Sequence, residues 1–195
     1  MRNSFSIHRC LLVPMGLAIA LTGCLPEPPT EGAPNIVVTG LPIGETALAV
    51  QIAHTGQIEQ GLLANDRCSD AEVHALAERE IEEHTKAAEQ LAALLPQLGP
   101  APLWSPLLQQ LQDEKDADQI RLGKCSGKAF DHAYLDAAML SHSRMLGLID
   151  NILAGVRARG EEEGSSYHLY LESVRTMINR HFIRAESLRD SGIVR

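Results

Sequence analysis

The chain has 195 residues, 45% of them hydrophobic and 22% charged, the balance of a globular protein with one core. Acidic residues outnumber basic ones 25 to 17, a formal charge of −8, which argues against a nucleic-acid partner because such proteins present a basic face. Three Phe, three Tyr and one Trp are few for an all-β sandwich. Beyond the N-terminus no apolar run approaches the roughly 18 residues of a membrane span.

In chain order, Arg2 and Arg9 flank the start of an apolar stretch, Cys10–Ala20, of signal-peptide length and short for a membrane helix. It ends in Leu21-Thr22-Gly23-Cys24, which resembles a bacterial lipobox. Residues 1–23 are therefore expected to be a lipoprotein signal peptide and Cys24 the lipidated new N-terminus. Leu25 in place of Asp after that cysteine points to the outer membrane, with the domain facing the periplasm. Acyl chains would anchor it by burying methylenes worth about 0.8 kcal/mol each. Loss of Arg2 and Arg9 takes the charge from −8 to −10, since residues 1–23 contain no Asp or Glu. Residues 24–43, rich in Pro and Gly, read as a tether.

Helical periodicity begins near Glu45. The predicted helices are 44–64, 70–95 (stopping at Pro96), a shorter one within 103–122, 128–157 and 166–190, with 191–195 frayed. The expected inward stripes are Leu48, Ile52, Thr55, Glu59 and Leu62 in the first. In the second they run from Val73 through Ala77, Ile81, His84 and Ala88 to Leu95. The third long helix carries Leu135, Ala138, His142, Met145, Ile149 and Ile152, and the last carries Tyr167, Leu171, Val174, Ile178, His181 and Ala185. Two helical hairpins joined by one long connection predict an all-α, ferritin-like four-helix bundle over 44–190, with an extra short helix in the crossover. This topology brings Cys68 and Cys125 to the same end, and an envelope compartment permits a disulfide between them.

Each stripe contains a polar residue at a core position: Glu59, His84, His142 and His181. At 1.5 Å per residue, His84 lies 16 residues from Cys68 and His142 lies 17 from Cys125, both about 25 Å down the bundle. A turn near 160–163 pairs His142 with His181. Three imidazoles are thus expected at one level, a set that suits Zn, Cu or Fe. Met145 and Met177, one turn away, read as core filler or as sulfur ligands favouring copper. The alternative for the histidines is a hydrogen-bonded layer that fixes register. Glu59, Asp131 and Tyr134, with Arg189, are expected to form a second polar cluster about 10 Å higher. His54 flanks the first stripe as an outside candidate. His74, His132, His168 and the acidic runs 78–83 and 161–163 read as exposed.

A carboxylate di-iron site needs Glu-x-x-His on two helices, but Ile81, Met139 and Ile178 stand three residues before the histidines. No nucleophile elbow, phosphate loop, Cys-x-x-Cys or His-Glu-x-x-His occurs, so a metal-dependent oxidase is the weakest reading and a non-enzymatic role the stronger one.

Several motifs resemble an uncharacterised ferritin-like domain family of bacterial envelopes, known chiefly as predicted outer membrane proteins. They are Gly56-Gln57-Ile58-Glu59-Gln60-Gly61, Glu83-His84-Thr85, Phe130-Asp131-x-x-Tyr134-Leu135, His142 and His181. Gln57 and Glu83 depart from the Glu and Asp usual there. The resemblance implies fold and compartment, and no reaction. The chain is thus expected to be a lipid-anchored envelope domain that binds a transition metal in its core. Its rival is a structural or protein-interaction lipoprotein, with a partner the sequence does not name.

Overall fold

The computed structural model describes residues 40–100, 104–158 and 165–192. The expected signal peptide, Cys24, most of the expected tether, and residues 101–103, 159–164 and 193–195 lie outside the described residues.

All regular structure among the described residues is helical: α1 (Ile43–Arg67), α2 (Ala71–Leu94), a 3-10 turn (Leu95–Gln97), α3 (Pro106–Leu122), α4 (Gly127–Ala158) and α5 (Ser166–Asp190). Local chemistry sets the boundaries. Asp70 caps α2 by accepting from the backbone N–H of Glu72 and Val73 at 2.8 and 3.2 Å, and Ser105 caps α3 with Pro106 at the first helical position. Ser165 caps α5 through the N–H of His168. Gly127 enters α4 at φ +56°, a conformation that side-chain-bearing residues avoid. No helix among the described residues is long and apolar enough to cross a membrane.

α1 packs on α2 and α4, α5 packs on the same two helices, and α3 lies against α1 and α4. α4 and α5 run antiparallel, riveted by Arg189–Asp136 at 2.7 Å and Arg175–Asp150 at 2.5 Å. α1 and α2 also run antiparallel and approach closely at Gly61, where a Cβ would stand 2.7 Å from Ile81 Cγ1.

The inward face of α1 differs from the expected stripe. Ala47, Val50, His54, Gln57, Gly61 and Ala64 are buried, whereas Leu62 is 53% exposed. Counting large aliphatic residues misplaces this face, because the close approach to α2 selects small side chains. α3 then covers the flank on which Ile52 and Leu48 sit, half-buried.

The apolar core is divided in two. One cluster runs from Ala47 and Val50 through Ala87, Leu91 and Met145–Val156 to Ile178. The other gathers Ala64, Ala77, Phe130, Leu135, Ala138, Ala185 and Leu188. On α1, α2, α4 and α5 the residues between these clusters are His54, His84, His142 and His181, all buried.

The Cys68–Cys125 disulfide is not formed. The topology does bring the two segments together, and both cysteines pack in the second cluster, yet Cys68 is a free thiol. Cys125 is itself disulfide-bonded, so it is not open to the Cys68 thiol even though the two share an end of the fold. Hydrogen bonds tie this end instead: Arg67 donates to the carbonyls of Gly123 and Cys125 at 2.8 and 3.2 Å.

Candidate metal centre

His84, His142 and His181 come from three helices and form a nearly equilateral triangle, with ring centroids 5.3, 5.4 and 5.5 Å apart. Each offers a ring nitrogen within 4.8 Å of the other two. A tetrahedral ion with bonds of about 2.1 Å separates its ligand atoms by about 3.4 Å, and His84 Nε2 already stands 3.3 Å from His142 Nε2.

The second nitrogen of two rings is pinned. His142 Nδ1 donates to the Ala138 carbonyl at 2.6 Å, so the lone pair of the neutral ring is on Nε2. His181 Nε2 donates to Glu83 Oε2 at 2.8 Å, and its Nδ1 has no partner. An outer acceptor that fixes the tautomer and leaves the inner nitrogen bare is the arrangement found around histidine-ligated metals.

His54, the outside candidate, is fully buried and belongs to the site through His84: its Nδ1 is 2.8 Å from His84 Nδ1, and its Nε2 is 2.8 Å from the Tyr170 hydroxyl. The fixed tautomer of His142 orients the whole chain. Tyr170 O–H donates to His54, His54 Nδ1–H to His84, and His84 Nε2–H to His142.

Burial holds these rings neutral. It takes His54 and His142 down to about 3. His84 is driven well below its ordinary value by burial first and by its three histidine neighbours second. Burial lowers His181 too, opposed by Glu83. Neutral imidazoles are the metal-binding form.

Glu80, read from sequence as part of an exposed acidic run, is fully buried. Its Oε2 accepts from the Tyr134 hydroxyl. Its Oε1 has no hydrogen-bond partner and lies 3.8 Å from His142 Nε2. The available signal was its position four residues before His84, on the same helical face.

The second cluster expected from sequence does not assemble. Glu59 pairs with Lys115 at 2.8 Å, Asp131 accepts from the backbone N–H and hydroxyl of Ser69 at 2.8 and 2.5 Å, and Arg189 goes to Asp136. Equal height did not bring these side chains together because they sit at different angles around their helices. His168 is also buried, with Nε2 3.2 Å from Glu172. Met145 and Met177 lie in the first apolar cluster.

Fold and site define an all-helical protein with a buried, multi-histidine centre between its helices. The chain belongs to the family described as a domain of unknown function (DUF4142), whose model matches residues 44–160, more than half of the chain. No curated protein and no solved structure matches it.

Proposed function

We propose that this is a lipid-anchored envelope domain, a ferritin-like four-helix bundle, that binds one transition metal ion through His84, His142 and His181. The observation that carries the reading is the triangle of buried, neutral imidazoles, two of which have their outer nitrogens fixed. The bare, buried lone pair of His181 Nδ1 is compensated when a cation binds there. To free its Nε2, His84 would carry its proton on Nδ1 and donate to His54, reversing the hydrogen bonds as far as Tyr170. The signal-like residues 1–23 and the lipobox cysteine support the anchor. Cys24→Ala should then move the chain from the membrane fraction to the soluble one.

The test is elemental analysis of the chain purified without chelator or affinity metal, beside a His84/His142/His181 triple alanine variant. About one Zn, Cu or Fe per chain, lost in the variant, is the expected result. Absence of metal from both after loading with all three ions would sink the reading.

One observation favours the second reading, a structural layer. The chain from Tyr170 through His54, His84 and His142 to Ala138 satisfies those rings without any ion. In that case wild type and His142→Ala would each melt at a temperature unmoved by added metal.

A further inference from the structure

We propose that Glu80 supplies the fourth ligand of this centre, making it a three-histidine, one-carboxylate site for a divalent ion. The inference rests on the histidine site proposed above and goes on to specify its charge and ion class.

Four features of Glu80 carry the inference. It lies one helical turn from His84 on α2, so both side chains rise from one face. Its Oε1 is 3.8 Å from His142 Nε2, a few tenths of an ångström beyond the roughly 3.4 Å edge of a tetrahedral site. That oxygen is buried without a hydrogen-bond partner, a rare and costly state for a carboxyl group. Its other oxygen accepts from Tyr134 O–H, the arrangement that orients a ligating carboxylate and leaves one oxygen to bind. Among the described residues, Glu80 Oε1 and His181 Nδ1 are both buried without a hydrogen-bond partner, and Glu80 reaches the three-histidine cluster on its His142 side.

Charge points the same way. Three imidazoles would leave a divalent ion with its full charge between two apolar clusters, and a single carboxylate halves that charge. Mixed nitrogen and oxygen ligands suit Zn(II) or Fe(II), whereas Cu(I) prefers softer donors. Tyr134 acts as a positioning residue in this scheme, touching the carboxylate and not the ion.

Co(II) titration of the full chain, read by its visible absorption, tests this in wild type, Glu80→Gln and the triple histidine variant. The expected result is Co(II) binding by wild type, with an affinity in Glu80→Gln lower by roughly tenfold to a hundredfold and a shifted band. Equal affinity with an unchanged band in Glu80→Gln would overturn the carboxylate proposal and leave the histidine site standing. Failure of wild type itself to bind Co(II) would overturn both. Should Glu80→Gln fail to fold, Tyr134→Phe carries the test. It should keep the wild-type band at lowered affinity, and unchanged affinity there would count against the proposal.

Discussion

His54 is a fully buried side chain whose two ring nitrogens are both engaged, one by Tyr170 and one by His84. That makes the Tyr170 hydroxyl the outer end of the hydrogen-bonded chain that reaches the three-histidine cluster. Tyr170→Phe removes a donor without changing the ring volume, so His54 Nε2 is left buried and unsatisfied. The expected cost is about 1–3 kcal/mol, seen in urea unfolding as a lower midpoint with the same slope. A midpoint within error of wild type would mean that water replaces the hydroxyl. Glu80 belongs at this scale too. Its identity as an acidic residue suggested solvent, and only its phase on α2 relative to His84 marks it as inward. A di-iron carboxylate motif spaces Glu and His three residues apart, whereas Glu80 and His84 stand four apart.

At the scale of helices, α1 shows where reading periodicity from hydrophobicity fails. Its true face, Ala47 through His54 and Gly61 to Ala64, is built from small and polar residues, so the aliphatic stripe one position away gives the stronger signal. α2, α4 and α5 pack with larger residues, and there Val73, Ala77, Leu135, Ile149, Leu171 and Ile178 fall inward as expected. The close contact of α1 with α2 is testable at Gly61. Alanine is the better helix former by about 1 kcal/mol, yet its Cβ would meet Ile81 Cγ1 at 2.7 Å and the Ala77 carbonyl at 3.2 Å. Gly61→Ala is expected to destabilise by about 1–2 kcal/mol net, with Ile81→Ala restoring part of the loss in the double variant. A stabilised Gly61→Ala would show that the two helices separate at little cost.

For the molecule as a whole, the divided core makes stability depend on pH. The unfolded chain protonates His54, His84 and His142 below about 6.5. The folded one resists down to about 3 for His54 and His142, and burial holds His84 well below its ordinary value too. Their contribution is therefore present above 6.5 and lost as pH falls. Burial pushes Glu80 up to about 8, so its contribution is present below about 4.5 and lost as pH rises toward 8. Between 4.5 and 6.5 three histidines outweigh one carboxyl, giving a net loss on the order of 2–3 kcal/mol per pH unit of acidification. The metal-free protein should melt highest near pH 6.5 and unfold steeply on the acid side. Glu80→Gln should abolish the shallower decline between pH 6.5 and 8. A melting temperature flat from pH 5 to 8 would contradict the buried, neutral layer.

The sequence by itself determined the number and extent of the helices, because caps, prolines and a 3.6-residue period are local and each acts within a turn or two. It also put His84, His142 and His181 at one height, since axial rise accumulates regularly along a helix. What it could not determine is azimuth, the angle at which each residue faces its neighbours once helices have packed. That angle is fixed by contacts such as Gly61 against Ile81. It is why His54 and Glu80 come to the histidine cluster, and why Glu59, Asp131 and Tyr134 find separate partners.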